Sequence, residues 1–162
     1  MKLKANDQIP DTVVYHLVDG EPQTIKLKEV LGIGKIILFG LPGAFTSTCS
    51  KLHLPGFVAN ADKLKSKGIK KIFCLSVNDP YVMNGWGEIN NTGDKIKMLS
   101  DPYLSFTKAI GAEVDRNAKG MGIRSNRYMM VIENFTVVKI HEEEETKECG
   151  LTSAENLLNN LL

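Results

Sequence analysis

An α/β sandwich, with a mixed sheet flanked by helices, is the fold class this sequence predicts, and three observations carry it. Two compact apolar runs, residues 34–40 (GKIILFG) and 69–77 around Ile72-Phe73-Cys74-Leu75, read as buried strands, and each is followed by a helical pattern. Two β-rich runs, residues 128–132 and 135–140, are joined by Glu133-Asn134 and read as a hairpin. A leucine-rich helix closes the chain. Strand–helix units followed by a hairpin and a terminal helix suit one layered domain, expected to span residues 1–162.

In chain order, residues 2–29 form a lead-in rich in turn formers, with a short hairpin around Val18-Asp19-Gly20-Glu21. After the first buried strand, Pro42-Gly43 ends the run and a helix begins near Thr46. Leu52, Leu54, Phe57, Val58, Ala61 and Leu64 then recur at helical spacing up to Gly68, and Pro55 should kink the first turns. Asn78-Asp79-Pro80 starts a helix that runs through Trp86. Residues 96–99 read as a third strand, and Asp101-Pro102 opens a helix ending near Gly111. Glu142 to Glu145 form an acidic, solvated loop. Thr152-Ser153-Ala154-Glu155 has the spacing of a capping box, with Leu157, Leu158, Leu161 and Leu162 as the apolar side of the last helix.

Bulk properties exclude several classes. The chain has 162 residues, 43% hydrophobic and 24% charged, with a formal net charge of +1. That balance gives no electrostatic argument for nucleic acid or a membrane surface, and no apolar run could span a bilayer. The first ten residues, MKLKANDQIP, carry no apolar signal core, and the cysteine count suits a reducing compartment, so the cytoplasm is expected, with an organelle as the alternative if a transit peptide was removed. Three cysteines, Cys49, Cys74 and Cys149, are too few and too odd in number for a disulfide framework. They share no ligand spacing with His16, His53 and His141, so no metal is expected.

The stretch LPGAFTSTCS, residues 41–50, carries the chemistry. It places Cys49 in the first turn of a helix, directly after a buried strand and a Pro-Gly turn. A thiolate, not a thiol, is the nucleophile, and the free N–H groups and positive end of a helix favour an anion. Thr46, three residues earlier, can cap that helix or donate a hydrogen bond to what the sulfur attacks. Pro42 and Gly43 fix the loop, with Pro42 shielding the sulfur, and Phe45 is expected to keep part of the pocket dry. A nearby guanidinium would further favour the thiolate and a developing oxyanion. Arg124-Ser125-Asn126-Arg127-Tyr128 offers two, of which Arg127, just before a strand, is the better held.

These residues resemble the active-site loop of peroxiredoxins, in which a proline, a Thr or Ser four residues later and a cysteine three after that correspond to Pro42, Thr46 and Cys49. The resemblance extends to the subfamily grouping plant type II with animal type V enzymes, through PGAFTSTCS, HLPGF, SVNDPYVMNGW and RSNRY, and covers most of the chain. It implies a thioredoxin-like sandwich and a thiol-dependent hydroperoxide reductase without cofactor or metal. In that role Cys49 attacks the peroxide, Thr46 orients it and Arg127 stabilises the charges. It also implies glutathione, glutaredoxin or thioredoxin as reductant, and a homodimer. Ser47 stands where the family usually has proline, so a change in loop stiffness is expected.

The other thiols decide how the enzyme is recycled. Cys74 occupies the place of the second cysteine in plant type II enzymes, but an apolar strand is first of all the setting of a buried small hydrophobe. Cys149 precedes Gly150-Leu151-Thr152, whereas animal type V enzymes carry the resolving cysteine after such a segment, and its neighbouring glutamates disfavour a thiolate. One-cysteine chemistry is therefore favoured, with Cys149 as the runner-up resolving thiol. His53, one turn after Cys49, is either a cation beside the thiol or an ordinary polar helix residue, the second being favoured. Trp86, Tyr81 and Met83 read as packing, and Arg124 as either a support for Arg127 or a solvated side chain.

Overall fold

The computed structural model describes residues 1–162, apart from the side chain of Leu161. Nine strands and five α-helices follow one another as β1 (Val13–Val18), β2 (Glu21–Lys26), α1 (Leu27–Leu31), β3 (Lys35–Gly40), α2 (Leu54–Ser66), β4 (Lys71–Ser76), α3 (Pro80–Ile89), β5 (Lys97–Ser100), α4 (Ser105–Ala109), β6 (Glu113–Asp115), β7 (Ile123–Ser125), β8 (Tyr128–Glu133), β9 (Thr136–Glu142) and α5 (Ala154–Asn156). Seven strands make one sheet in the order β2-β1-β5-β4-β3-β8-β9. The β3–β4 and β4–β5 pairs are parallel and the remaining pairs antiparallel, so the sheet is mixed as expected. Among the described residues, no helix is long and apolar enough to cross a membrane.

Alternation along the central strands divides the core in two. Ile37, Phe39, Ile72, Cys74, Met129 and Val131 face a layer built from α2, α3 and α5 through Phe57, Ala61, Leu64, Met83, Trp86 and Ala154. Ile36, Leu38, Phe73, Leu75, Met130 and Ile132 face the other way, towards Leu27, Val30 and Leu31 of α1 and Phe106 of α4. Cys49 belongs to the first of these cores.

Several elements depart from the sequence expectation, each for a local reason. The first hairpin turns at Asp19-Gly20, with φ of 50° and 81°, as expected. The second turns at Asn134-Phe135, with φ of 48° and 69°, so Phe135 is a turn residue although its aromatic character suggests a strand. The break expected at Pro55 appears just upstream as a turn of π-helix over Cys49–His53, where the Leu54 N–H reaches back to the Cys49 carbonyl. The helix opened by Asp101 starts only at Ser105, after Leu104 at φ 60°. The Asp101 carboxylate nevertheless holds its first turn, accepting from the N–H of Phe106 at 3.2 Å and of Thr107 at 2.8 Å. The last helix is capped by Ser153, which accepts from the Asn156 N–H at 3.1 Å, one residue later than the Thr152 capping-box spacing suggests. Leu157 is buried on that helix, Leu158 packs beside it, and the expected role of Leu161 lies outside the described residues. The helix α1 and the small β6–β7 hairpin have no expectation behind them; both are too short to show a period.

Glu142 to Glu145 are not a uniformly solvated loop. Glu142 ends β9 and binds the Met1 amino group at 2.7 Å, and Glu143 is buried. At the end of β3, the Tyr128 ring lies where a Cβ on Gly40 would stand. The Tyr128 hydroxyl, buried among the described residues, has no hydrogen-bond partner. Gly40→Ala should therefore cost on the order of 1–3 kcal/mol through overpacking. Tyr128→Phe should stay within about 1 kcal/mol of the parent, since it removes a polar group without breaking a bond. Urea unfolding of both variants measures the contrast.

Candidate active site

The path from strand to site begins where β3 ends. Leu41 and Pro42 leave the sheet buried, and Phe45 adopts φ 64°, which swings the chain outward before the helix starts. Two side chains from elsewhere fix this loop. Asn78, after β4, accepts the Ala44 N–H at 2.8 Å and a hydrogen bond from the Ser76 hydroxyl at 2.8 Å. Arg124 donates through Nη1 to the Pro42 carbonyl at 3.3 Å and through Nε to the Met121 carbonyl at 2.7 Å. A Cβ at Gly43 would meet Arg124 Nη1 at 2.8 Å, so a larger residue there would shift that guanidinium. Sequence reasoning identified Arg124 only as an alternative and missed Asn78 as a loop support.

Thr46 precedes the first helical residue, and its carbonyl accepts the Ser50 N–H at 2.9 Å. Its hydroxyl does not cap the helix; it donates to the Gly43 carbonyl at 2.7 Å. Ser47 thus occupies the first helical position, where proline is favoured because that N–H has no helical partner in any case. Phe45 is 58% exposed and does not line the small pocket beside Arg127, contrary to the expectation that it keeps the pocket dry. Pro42, Thr46 and Arg127 do line that pocket, which measures about 240 Å³. A larger cavity of about 440 Å³ between β1, α3 and β5 is lined by no cysteine.

Cys49 is fully buried. Arg127, from the turn before β8, is only 1% exposed and donates to the Cys49 sulfur through Nη2 at 3.1 Å. The same guanidinium donates to the Thr146 carbonyl through Nη2 at 2.9 Å and Nε at 3.3 Å, and to His53 Nδ1 through Nη1 at 2.9 Å. Arginine can only donate, so Nδ1 must accept and the His53 proton resides on Nε2, which donates to the Thr152 carbonyl at 3.1 Å. Burial first, and the Arg127 charge second, hold His53 down to about 3. It is therefore neutral. It is not the cation beside the thiol, and it is more than an ordinary polar helix residue: it is a buried acceptor that orients Arg127.

The remaining partners close the arrangement. Glu143 accepts from the Thr152 N–H at 2.8 Å and hydroxyl at 2.9 Å, which sets the carbonyl that His53 meets. Trp86 is packing, as expected, and its ring N–H donates to the Ser50 hydroxyl at 3.1 Å. Cys74 lies in the middle of the sheet, between Phe39 of β3 and Met98 of β5, and burial raises its thiol well above the ordinary range. Cys149 is half-buried; burial pushes its thiol up, with Glu143 and Glu155 adding to the effect while Arg127 and a Thr152 hydrogen bond oppose it. Among the described residues, no three metal-ligating side chains cluster.

A buried sulfur touched by a guanidinium that also lines a small pocket, with a hydroxyl at the pocket wall, suits attack on a small electrophile whose leaving atom becomes an oxyanion. The comparisons with known proteins agree in kind. A family model described as Redoxin matches residues 4–158. Peroxiredoxin-2D of Arabidopsis thaliana is 40% identical over 157 residues, spanning 96% of this chain and 96% of that protein. Reduced Prx3 of Vibrio vulnificus, solved in complex with H2O2, superposes with a TM-score of 0.90 at 39% identity, covering 96% of this chain and 94% of that one. The 1-Cys peroxiredoxin of Plasmodium falciparum superposes with a TM-score of 0.88 at 31% identity, covering 96% of each chain.

The His53 arrangement sets a pH dependence. Held at about 3 against an ordinary 6.5, His53 binds its proton more readily in the unfolded chain than in the folded one. Its contribution is complete above pH 6.5 and is lost as pH falls from there towards 3, with a slope of at most about 1.4 kcal/mol per pH unit. His53→Gln keeps an acceptor for Arg127 and a donor for Thr152 but cannot titrate. The difference between the stabilities of parent and His53→Gln, by urea unfolding from pH 7.5 to pH 4.5, should carry that slope; a pH-independent difference refutes the assignment.

Proposed function

From the premise that this chain belongs to the redoxin family and is a peroxiredoxin, a thiol-dependent peroxidase, we propose that Cys49 is its peroxidatic cysteine and that an external thiol completes each cycle. The observation that carries the proposal is the 3.1 Å hydrogen bond from Arg127 to the Cys49 sulfur. The sulfur attacks the terminal oxygen of the hydroperoxide: an S–O bond forms and the O–O bond breaks. The electron pair leaves with the alkoxide or hydroxide, which takes up a proton, and Cys49 becomes a sulfenic acid. Thr46 already donates to Gly43, so its oxygen is left to accept from the peroxide O–H. Arg127 balances charge first on sulfur and then on the departing oxygen. Pro42 and Gly43 keep the loop in place, and Pro42 forms part of the pocket wall.

A one-cysteine cycle follows from the surroundings of the other thiols. Cys74 would have to leave the centre of the sheet to reach another partner. A small or protein thiol instead condenses with the sulfenic acid, releasing water, and a second thiol reduces the mixed disulfide. Glutathione, glutaredoxin and thioredoxin all have the required chemistry. Cys149 is the second reading: the carbonyls of Thr146 and Lys147, just before it, are tied to Arg127 and to the Thr48 hydroxyl, which keeps that segment against the site. The working form is proposed to be a cytoplasmic homodimer; relatives with chloroplastic and mitochondrial names show that the family is not confined to one compartment.

Cys49→Ser should abolish hydroperoxide consumption, by at least about 1,000-fold. The reduced protein, given one equivalent of tert-butyl hydroperoxide, should gain one oxygen by intact mass and then, with glutathione, form an adduct at Cys49. Loss of two hydrogens in place of the adduct would make Cys149 or Cys74 a resolving cysteine.

A further inference from the structure

We propose that the mouth of the pocket lined by Thr46 and Arg127 is selective for anions and takes substrates bearing a carboxylate, with Arg116, Lys119 and Lys147 setting that selectivity. The inference rests on the peroxidase reading above and names the substrate class of the same site. All three cations line the pocket together with Thr46, Thr48 and Arg127, and no carboxylate does. Composition does not explain this, because the chain holds 20 basic and 19 acidic residues. The charges nearest in sequence that could neutralise the rim are engaged elsewhere. Asp115 accepts the Asn117 N–H at 2.7 Å, Glu142 holds Met1, Glu143 holds Thr152, and Glu148 accepts the Glu145 N–H at 3.4 Å. Glu144 and Glu145 are exposed and do not line the pocket.

The cations are also held on short, tied segments. The Arg116 N–H donates to the Gly122 carbonyl at 2.9 Å, the Lys119 N–H donates to the Arg116 carbonyl at 3.0 Å, and the Lys147 carbonyl accepts from the Thr48 hydroxyl at 3.1 Å. The Arg116 Nε is buried and has no hydrogen-bond partner among the described residues. The step at sulfur does not need these charges, since Arg127 already contacts Cys49. They suit a part of the ligand remote from the reacting atom, and a carboxylate meets both charge and donor geometry.

Two ligands of a peroxidase can present that group: a hydroperoxide of a carboxylic acid, or the thiol that discharges the sulfenic acid. In the second case Cys49–SOH and R–SH give Cys49–S–S–R and water, and a further R–SH returns the Cys49 thiol and R–S–S–R.

Matched pairs differing only in the carboxylate separate these sources. One arm compares linoleic acid hydroperoxide with its methyl ester, below the micelle concentration. The other compares glutathione with its diethyl ester as reductant, with tert-butyl hydroperoxide as oxidant. The acid-to-ester ratio of kcat/KM should exceed one in at least one arm and shrink as potassium chloride is raised. It should fall roughly 2–5-fold for each lysine removed in Lys119→Gln and Lys147→Gln at low salt. Lys65→Gln, exposed on α2, should leave the ratio unchanged. Ratios near one, or ratios insensitive to salt and to both lysine variants, overturn this inference while turnover of tert-butyl hydroperoxide persists. No turnover of tert-butyl hydroperoxide by the parent overturns the peroxidase reading and this inference with it.

Discussion

The Arg127 guanidinium is the constraint around which the rest of the site is arranged. It is 1% exposed, and among the described residues no carboxylate lies within ion-pair distance of it. Burying a cation without a counter-ion costs several kcal/mol unless its donors are satisfied. Here two backbone bonds from Thr146, one ring nitrogen of His53 and the Cys49 sulfur take that role. Of these partners, the sulfur is the one able to carry negative charge. The fold thus sets a buried cation, with no carboxylate at ion-pair distance among the described residues, against the Cys49 sulfur.

Keeping the guanidinium oriented requires a relay that crosses most of the chain. His53, on the π-helical turn, holds one edge of Arg127; Thr152, in the turn before α5, holds His53; and Glu143, just past β9, holds Thr152. The π turn adds a residue to the helix between Cys49 and α2, and both of its ends meet Arg127. On the opposite side, Asn78 and Arg124 hold the loop that carries Pro42 and Thr46. The C-terminal segment consequently helps to hold the guanidinium that meets the Cys49 sulfur.

The sequence disclosed those features that depend on local pattern. The buried strands, the hairpins, the Pro-Gly loop and the residue types around Cys49 announce themselves because periodicity and turn chemistry are local, and Arg127 because it sits on a strand edge in a recognisable motif. What stayed hidden depends on contacts distant in sequence. His53 and Thr152 are 99 residues apart, and nothing in the spacing of either reveals a buried neutral histidine. Glu143 looked like part of a solvated run because charge is ordinarily exposed; its burial follows from the donors Thr152 offers it. Phe45 looked like a pocket lid, yet its positive φ places it outside.

The central strand also contains a built-in gauge of unfolding. Cys74 is fully buried between two parallel neighbours, and burial holds its thiol protonated. Local fraying at the chain ends or in the loops does not reach it, so an alkylating reagent gains access only when the sheet itself separates. With Cys49 and Cys149 replaced, the labelling rate of this single thiol in native buffer would count global openings one molecule at a time. Chain stability then becomes measurable without denaturant, through one side chain at the centre of the sheet.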